Sequence, residues 1–409
     1  MTEPPTGLRV LYSFPHVLGR AGIATTAGHQ ISGLAHEGVA VTLVVAYASE
    51  AIPAARTIES LRLWGRRVPH RTLGSVQRAY DHHDARAAAL LRSLAGAVDA
   101  VHVWPRACLR TLAQARALGI PALREAPSPH TRSAFRTARD AAASFGLELP
   151  RSHSHRWDDR VLAREEAEYG AADFLLVPSD YARATFLEQG VPEGKLLLTS
   201  YGFDPARFRP APEPRGQHPG LRAVFIGRGE PNKGLHLALD AWHESGAGRS
   251  GGLLDVYGDI LPGYRARLAH QLDQPSVRVH GFAADVSAAL ANADVLVLPT
   301  LTEGSALVTY EALGSGCVPL VSDASGAPVE HGRTGLVHQA GVTAELTAHL
   351  RRLAERPDDL ARLRRACLGD RERWTWQAAA SRLAAAYRTA IARQAASEQS
   401  KPPGSPLTA

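Results

Sequence analysis

Residues 293–322 read ADVLVLPTLTEGSALVTYEALGSGCVPLVS, and this stretch decides the fold. Its apolar run Val295–Leu298 predicts a buried parallel strand, because helices cover both faces of such a strand. Pro299 ends the strand, and Gly304 marks a tight turn into a helix. A second strand is predicted at Val318–Val321. The order strand, helix, strand is typical of an α/β sheet.

Two glutamates of this stretch lie near the mouth of the predicted sheet. Glu303 follows the carboxyl end of a strand, where open α/β sheets bind their ligands. Glu311 lies about two turns along the next helix, close enough to the same face to meet the same ligand. Many helices carry such a pair on a solvated surface by chance, so the spacing alone leaves that alternative open.

The length and composition indicate a globular protein of two domains. The chain has 409 residues, of which 45% are hydrophobic and 21% charged, and this length exceeds one ordinary core. Its three cysteines form no Cys-x-x-Cys pair, which argues against a disulfide framework or a zinc site. The chain start has no signal-peptide pattern and no apolar run is long enough to cross a membrane, so we expect a cytoplasmic protein.

The excess of basic over acidic residues has two possible interpretations. The net charge is +6, and all but three of the 46 basic residues are arginine. They crowd at residues 62–71, around Trp64, and at residues 132–160. One interpretation is a solvated arginine-rich surface. The other is an anionic acceptor or an acidic membrane face, with the protein peripheral at the inner membrane. Nucleic acid is not expected, since no basic-aromatic binding module is present.

Strand and helix patterns alternate along the whole chain, which predicts βαβ units and mostly parallel sheets. A proline-dense segment at 206–220 is predicted to link two domains, 1–205 and 221–373. A long helix at 374–395 is expected to cross back onto the first domain, and 396–409 to be a disordered tail. The predicted strands flanking the linker are Leu8–Ser13, Val39–Val45, Ala100–Val103, Ile120–Arg124, Phe174–Val177 and Leu196–Thr199 before it, and Ala223–Ile226, Leu253–Tyr257 and Val277–His280 after it.

The segment AVFIGRGEPNKG at residues 223–234 suits a diphosphate. A strand ends at Gly227, Arg228 follows at once, and Lys233 precedes the next helix. The helix amino terminus offers N–H groups and partial positive charge, to which the two cations add full charges. The segment is not a Walker loop, because no Ser or Thr follows the lysine, and Asn232 breaks the dinucleotide fingerprint. Two solvated cations on a loop remain an alternative.

A second glycine loop follows the first strand. The segment FPHVLGRAGIAT, residues 14–25, places Gly19 and Gly22 before the first helix. Glycines there would bring backbone N–H groups close to a ligand lying between the domains. An ordinary tight turn is the alternative.

Together these segments resemble the family 4 glycosyltransferases. That family has the GT-B fold, in which two Rossmann-like, doubly wound domains face a central cleft. The resemblance spans nearly the whole chain, and its most specific part is the Glu-x7-Glu spacing of Glu303 and Glu311. The arginine-to-lysine spacing of the loop at 227–234 is next. The segments 177–179, 201–204 and 331–335 fit further motifs of the family.

The resemblance implies a retaining enzyme that transfers a sugar from a nucleotide-sugar, a UDP- or GDP-sugar above all, to an acceptor hydroxyl. Arg228 and Lys233 would hold the donor diphosphate and stabilise the leaving group. Glu311 would bind the ribose hydroxyls, and Glu303 would face the donor sugar. The other implied site residues are Gly22, Gly227, Gly281, Phe282, Gly304, Ser305, Ala306 and Leu307 for the donor, His130 as a catalytic residue facing the sugar, and Glu125 as its competitor or as an acceptor contact.

No metal or other cofactor is expected. The sequence contains no Asp-x-Asp, and the cations of the loop can take the place of a divalent ion. Two rival functions stay open: a GT-B phosphorylase or epimerase, and a non-catalytic protein that binds nucleotide-sugars. The base, the sugar and the acceptor are not determined by the sequence, and residues 322–332 look shorter than the corresponding family stretch.

Overall fold

The computed structural model describes residues 7–20, 22–49, 55–211 and 220–399. Up to residue 211 it contains strands β1 (Arg9–Leu18), β2 (Ala40–Ala48), β3 (Ala55–Glu59), β4 (Arg62–Leu63), β5 (Arg66–Arg67), β6 (Ala100–Val103), β7 (Ala122–Glu125), β8 (Phe174–Val177) and β9 (Leu196–Leu198). The helices of this part are α1 (Ile23–His36), α2 (Val76–Ser93), α3 (Leu109–Ala117), α4 (Thr131–Ala143), α5 (Asp159–Ala171) and α6 (Asp180–Glu188).

From residue 220 onward the strands are β10 (Arg222–Ile226), β11 (Leu253–Tyr257), β12 (Val277–Gly281), β13 (Val295–Leu298), β14 (Val318–Ser322) and β15 (Leu336–His338). The helices are α7 (Leu235–Ser245), α8 (Pro262–Arg267), α9 (Ala269–Leu272), α10 (Val286–Ala291), α11 (Leu307–Ser315), α12 (Thr343–Glu355), α13 (Pro357–Asp370) and α14 (Trp376–Gln399). Short 3-10 turns occur at His70–Leu73, Glu193–Lys195, Pro231–Lys233, Asp323–Ser325 and Arg371–Trp374.

Two parallel sheets organise the described residues. The first has the order β3-β2-β1-β6-β7-β8-β9, and the second has the order β12-β11-β10-β13-β14-β15. Successive strands are added on one side of β1 up to β3 and on its other side from β6 onward, and the same reversal of strand order occurs between β10 and β13 in the second sheet. Ligands of open α/β sheets bind at such points. The doubly wound α/β architecture predicted from the alternating pattern is therefore confirmed.

Strand β13 shows why the central strands form where they do. Val295, Leu296, Val297 and Leu298 are all at most 3% exposed. Helix α7 packs on the face of Val295 and Val297, and α10 and α11 pack on the face of Leu296 and Leu298. Both faces of the strand are covered, so an uninterrupted apolar run replaces the alternation seen in half-exposed strands. Burial of this kind contributes about 25 cal/mol for each Å² of apolar surface removed from water.

The last helix, α14, packs against the first sheet and its helices. Gly33 of α1 leaves room for Ala380, since a Cβ at Gly33 would lie 2.5 Å from the Ala380 methyl carbon. The hydroxyl of Tyr387 lies 2.7 Å from His102 Nδ1 in the core of the first sheet. The helix begins at Trp376, after a 3-10 turn, and continues past Ala396, where a disordered tail was predicted. Residues 400–409 and part of the predicted linker lie outside the described residues.

Residues 144–157, which we call the crossing segment, run from α4 to the second sheet and back. The ring of Phe145 packs edge-on against His236 and Tyr264, with ring centroids 4.7 and 4.9 Å apart. Leu147 packs against the same core. The sequence did not predict α4, and the crossing segment shows that the two sheets are joined by more than the linker. Within the described ranges, none of the helices combines the length and apolar character that a bilayer span needs.

Candidate functional site

The loops after β10 and β13 meet at the mouth of the second sheet. Thr300 Oγ1 donates a 3.0 Å hydrogen bond to the backbone oxygen of Asn232, and Leu301 N donates another at 2.8 Å. These bonds hold the loops together, and Lys233 Nζ then contacts Glu303 Oε2. The structure therefore brings together two residues that are 70 positions apart in sequence and that were both predicted for one site.

Gly234 sets the direction in which Lys233 leaves the loop. Its φ is 70°, in the left-handed region, and a Cβ at this position would overlap the backbone oxygen of Pro299. Only glycine accepts both the conformation and the close approach. Gly234 thus allows Lys233 to place its ammonium group above the switch point of the second sheet, where the strand order reverses between β10 and β13.

Arg228 and Lys233 flank a buried carboxylate. Glu230 is 3% exposed, its Oε2 lies 3.5 Å from Arg228 Nη2, and His153 Nε2 lies 2.8 Å from the same oxygen. Burial alone would raise the pKa of Glu230, but the hydrogen bond and charge of His153 lower it overall. Burial lowers the pKa of Lys233, and the Glu230 carboxylate opposes that shift. The loop therefore presents two cationic groups beside one fixed carboxylate.

A cavity of about 560 Å³, which we call the Phe282 cavity, adjoins this loop. Phe282 is 77% exposed although it is apolar, and Gly281 before it has a φ of 72°. A flat, accessible aromatic ring at a cavity edge suits stacking on a planar ligand ring. Predicted residues Gly227, Arg228 and Phe282 line this cavity together with Ile226, Tyr257, Gly258, Asp259, Ile260, Leu261, Pro262, Ala283 and Val286.

Helix α11 starts beside the Lys233 contact, with Ala306 as its N-cap and Leu307 as its first residue. Ser305 is committed to the local structure, since its Oγ donates to Gly326 O at 2.8 Å and lies 2.8 Å from the Tyr310 hydroxyl. The helix amino terminus carries partial positive charge that favours an anion. On the same helix, burial raises the pKa of Glu311 to about 7, and the charge of Arg207 opposes the rise.

Gly304 joins the Glu303 loop to the first sheet. A Cβ at Gly304 would overlap the backbone oxygen of Pro127, which follows β7. Ser179 Oγ, at the amino end of α6, donates a 2.5 Å hydrogen bond to Gly304 O. The carboxyl edges of both sheets therefore meet at this glycine, and the site lies between them.

The first sheet contributes a cavity of about 220 Å³ beside Pro127, which we call the Trp104 cavity. Its charged groups are tightly paired: Arg124 and Arg106 lower the pKa of Glu165 to about 2, against the opposing effect of burial. Its aromatic and polar lining includes His16, Tyr80, Trp104, Arg106, Arg124, Ser128, Thr131, Phe135, His155, Glu165 and Tyr169.

His155 lines this cavity and lies near the loop that carries Arg228 and Lys233. Burial, followed by the charges of Lys233 and His153, lowers its pKa to about 4. The imidazole is therefore neutral at pH 7 and lies within electrostatic reach of Lys233. His155 was not predicted as a site residue, because nothing in the segment Ser152-His-Ser-His155 shows that the crossing segment turns into the cleft.

The structure places the side chain of His130 in the core beside the Trp104 cavity, and its catalytic role stays a prediction. His130 is 3% exposed, and its ring packs against Tyr169 and Phe186 with centroids 5.0 and 5.2 Å away. Its Nδ1 accepts a hydrogen bond from Arg132 N, so the side chain caps helix α4. A residue in this position stabilises the helix start and lies outside the lining of the Trp104 cavity.

The structure also places Glu125 in the core, and its contact with the sugar or acceptor stays a prediction. Glu125 is fully buried, where its carboxylate accepts hydrogen bonds from Tyr201 OH at 3.0 Å and Gln30 Nε2 at 3.3 Å and lies 3.2 Å from His102 Nε2. Successive residues of a strand point to opposite faces. Arg124 therefore lines the Trp104 cavity, while Glu125 points into the core under α14.

Gly22 lies at the rim of the Trp104 cavity. It is the N-cap of α1 with a φ of 84°, and the next residue, Ile23, lines the cavity. Its predicted contact with a donor diphosphate stays a prediction. In the part of the chain that the structure describes, no group of three or more His, Cys, Asp or Glu side chains is arranged to hold a metal ion.

Sequence relatives define the class of this chain. The sequence model of the family "Glycosyl transferases group 1" matches residues 220–356. The chain is 32% identical over 328 residues to the MMP α-(1→4)-mannosyltransferase of Mycolicibacterium hassiacum, covering 76% of this chain and 75% of that protein. It is 28% identical over 233 residues to the sulfoquinovosyl transferase SQD2 of Arabidopsis thaliana, covering 52% of this chain and 44% of that protein.

Solved structures share the fold over nearly the whole chain. Sucrose-phosphate synthase from Thermosynechococcus elongatus matches with a TM-score of 0.68 at 18% identity, covering 95% of this chain and 100% of that one. HepE from Anabaena, solved in complex with UDP, matches with a TM-score of 0.65 at 16% identity, covering 93% and 100%. These likenesses confirm the predicted GT-B fold. The sequence relatives show that the protein is a glycosyltransferase. More closely, the chain belongs to the group 1 glycosyltransferases.

Proposed function

We propose that this enzyme is a retaining glycosyltransferase that moves a sugar from a nucleotide-sugar to an acceptor hydroxyl. The observation that carries the proposal is the convergence of Arg228, Lys233 and Glu303 at the switch point of the second sheet. The solved structures of HepE with UDP and with UDP-glucose support a nucleotide-sugar donor. The name of the mannosyltransferase relative supports transfer of a hexose.

The donor would lie across the second sheet. Its diphosphate would bind between Arg228, Lys233 and the amino terminus of α11, where cations and N–H groups converge. Its base would stack near Phe282, and its ribose hydroxyls would bind Glu311. A UDP- or GDP-sugar is the expected donor. We also infer the division into a first domain at 1–205 with the last helix, a linker at 206–220, and a donor domain at 221–373.

Donor binding would exchange one ionic contact for another. In the structure Lys233 contacts Glu303, and a bound diphosphate would compete for the same ammonium group. Glu303 would then be released to accept hydrogen bonds from hydroxyls of the donor sugar. This exchange couples the arrival of the phosphate to the formation of the sugar site.

The transfer itself needs no protein nucleophile in this proposal. The bond between the sugar C1 and the phosphate oxygen breaks, and its electron pair stays on the departing diphosphate. The acceptor oxygen forms the new bond to C1 on the same face, and its proton passes to the departing phosphate oxygen. Arg228 and Lys233 stabilise the charge that develops on the leaving group. No metal is needed for this step.

The acceptor would enter through the Trp104 cavity, which adjoins the Glu303 loop. His155 would contact the acceptor there, because it lines this cavity and is neutral at pH 7. A neutral imidazole can donate one hydrogen bond and accept another, as recognition of sugar hydroxyls requires.

Replacement of Lys233 by Ala tests the proposal. We expect the rate of transfer from the preferred member of a UDP-, GDP-, ADP- and dTDP-sugar panel to fall by about 10³-fold or more, without loss of the folded state. Lys195→Ala is the matched control, since Lys195 donates to the backbone of Gly170 on the surface and should be silent. Full activity of Lys233→Ala would refute the assignment.

Two further measurements separate the rival functions. EDTA should leave the wild-type rate unchanged, and loss of activity restored by a divalent ion would contradict metal independence. Nucleotide-sugar incubated with inorganic phosphate should give no sugar phosphate; its release would identify a phosphorylase. Binding of nucleotide without transfer or donor hydrolysis, across a broad acceptor set, would identify a non-catalytic binding protein.

A further inference from the structure

A short hairpin projects from the first sheet just after β3. Its strands β4 and β5 pair antiparallel, with Arg62 opposite Arg67 and Leu63 opposite Arg66. The two-residue turn between them consists of Trp64 and Gly65, with φ angles of 47° and 77°. Positive φ at both central residues is what a type I′ turn requires.

The turn residue is unusual for this conformation. Asn or Gly normally occupies the first position of such a turn, and a bulky residue at positive φ is an outlier. Trp64 is nevertheless there, 92% exposed, and Leu63 beside it is 55% exposed. Neither the backbone conformation nor the exposure of these side chains stabilises the fold. Both features therefore indicate a role in binding.

The hairpin is a rigid mount for these two side chains. Val68 N donates a 2.8 Å hydrogen bond to Leu61 O, which extends the ladder to the hairpin base. Leu61 is buried with Ala46 and Ala79, and Val68 packs against them. The base is therefore fixed to the sheet and to α2, while the tip stands in solvent.

The charge around the tip is positive. Between residues 55 and 78 the sequence has six arginines, and Glu59 is the one acidic residue. Glu59 Oε2 pairs with Arg62 at 2.6 Å, and it cannot neutralise Arg66 and Arg67 as well. The tip therefore combines an indole and an isobutyl group with excess positive charge.

Other exposed apolar residues lie at the same end of the first sheet. Ile23 begins α1 after β1 and is 43% exposed, and Val76 begins α2 and is 51% exposed. Tyr80 of α2 lines the Trp104 cavity, and His70, which follows the hairpin, packs against its ring at 5.7 Å. The hairpin therefore stands beside the mouth of the Trp104 cavity.

We propose that the hairpin tip, residues 62–67, docks on an anionic lipid bilayer. Trp64 and Leu63 enter the headgroup region, where indole rings are favoured. Arg66 and Arg67 bind lipid phosphates, and each basic residue near such a surface adds about fivefold to the affinity. A convex tip with adjacent Trp and Leu side chains fits an interface that it can enter, whereas a soluble glycan needs a groove with polar partners. Docking there turns the Trp104 cavity toward the membrane.

Co-sedimentation with lipid vesicles tests this proposal without any nucleotide or sugar, so its outcome does not depend on the proposed function. The full chain should pellet with phosphatidylcholine vesicles containing about one third phosphatidylglycerol, and not with phosphatidylcholine alone. About 0.5 M NaCl should weaken the binding strongly, because the Debye length falls to a few Å.

Variants assign the binding to the hairpin. Trp64→Ser should lower vesicle affinity by about tenfold or more, and the Arg66→Ser/Arg67→Ser double variant by about 25-fold. Leu198→Ser is the matched control: Leu198 is 50% exposed but lies on β9, at the opposite edge of the sheet, so its affinity should equal the wild type. Near-identical thermal unfolding of all three variants checks that each is folded.

Three results would overturn the proposal. The first is wild-type protein that stays in the supernatant with anionic vesicles. The second is binding that Trp64→Ser leaves unchanged. The third is equal binding to neutral and anionic vesicles, which would remove the role of the arginines. Loss of affinity for a soluble glycan in Trp64→Ser, with vesicle binding intact, would assign the tip to the acceptor instead.

Discussion

The carboxyl group of Glu311 gives the sharpest test of the site, because the fold itself opposes its ionisation. Burial raises its pKa from 4.5 to about 7. At about 1.4 kcal/mol for each pKa unit, the carboxylate is about 3 kcal/mol less stable in the folded chain than in the unfolded one. The side chain is half-buried, so solvent reduces this cost, and we expect about 2 kcal/mol to be measured.

The sign of the effect follows from proton binding. Below pH 4.5 the carboxyl is protonated in both states and adds no pH dependence. Between pH 4.5 and about 7 the unfolded chain releases the proton while the folded chain keeps it, so the wild type loses stability as the pH rises. Above pH 7 the loss is complete. Glu311→Gln, which cannot ionise, should therefore gain about 2 kcal/mol over the wild type between pH 4.5 and pH 8.

Urea unfolding of the wild type and of Glu311→Gln at several pH values measures this difference. Glu303→Gln is the matched control, since it is the same substitution at a carboxylate that has an ionic partner. It removes the partner of Lys233, so this variant should be less stable than the wild type at pH 8. The variant Glu311→Gln should also bind nucleoside diphosphate more weakly, since an amide is a poorer acceptor for ribose hydroxyls than a carboxylate. Equal stability of Glu311→Gln and wild type at pH 8 would refute the reasoning.

Three further predictions concern the junction of the two sheets. Gly304→Ala should lower the melting temperature and the transfer rate, because its methyl group would overlap Pro127 O. Gly170→Ala is the control and should be neutral or stabilising, since the space around its Cβ is open. Equal losses in the two variants would contradict the packing argument. Phe145→Ala should cost about 2 kcal/mol in urea unfolding and speed proteolysis of the crossing segment; unchanged proteolysis would show that the segment is not held by this ring. His155→Ala should slow transfer while leaving the thermal shift by nucleoside diphosphate unchanged, and a lost shift would place His155 in the donor site.

The central strands could be predicted from the sequence because their cause is local. The predicted ranges Ala100–Val103, Phe174–Val177, Leu253–Tyr257 and Val295–Leu298 equal the observed β6, β8, β11 and β13. Each is a short, mostly apolar run bounded by breakers. Strands β6, β8 and β13 are buried along their whole length, and β11 is buried at alternate residues. Helix α4 was not predicted, because Thr131–Ala143 is rich in arginine and reads as a solvated segment.

The site was predictable only where backbone conformation and function share the same residues. Gly234 must be glycine for the turn that presents Lys233, and Gly304 must be glycine for the contact with Pro127. Such constraints can be recognised in the sequence. The tip of the hairpin β4–β5 was less predictable, since the sequence shows the arginine cluster around Trp64 but not its projection from the sheet.

By itself the sequence determined two doubly wound sheets, the Lys233 loop, the Glu303 loop and the helix that carries Glu311, since each depends on the order of neighbouring residues. Only the tertiary structure decided which side chains reach the cleft. His130 turned out to cap a helix, Glu125 points into the core, and His155 arrives from the crossing segment. The physical reason is that the direction of a loop side chain depends on packing against elements distant in the chain, and no local pattern of residues encodes that packing.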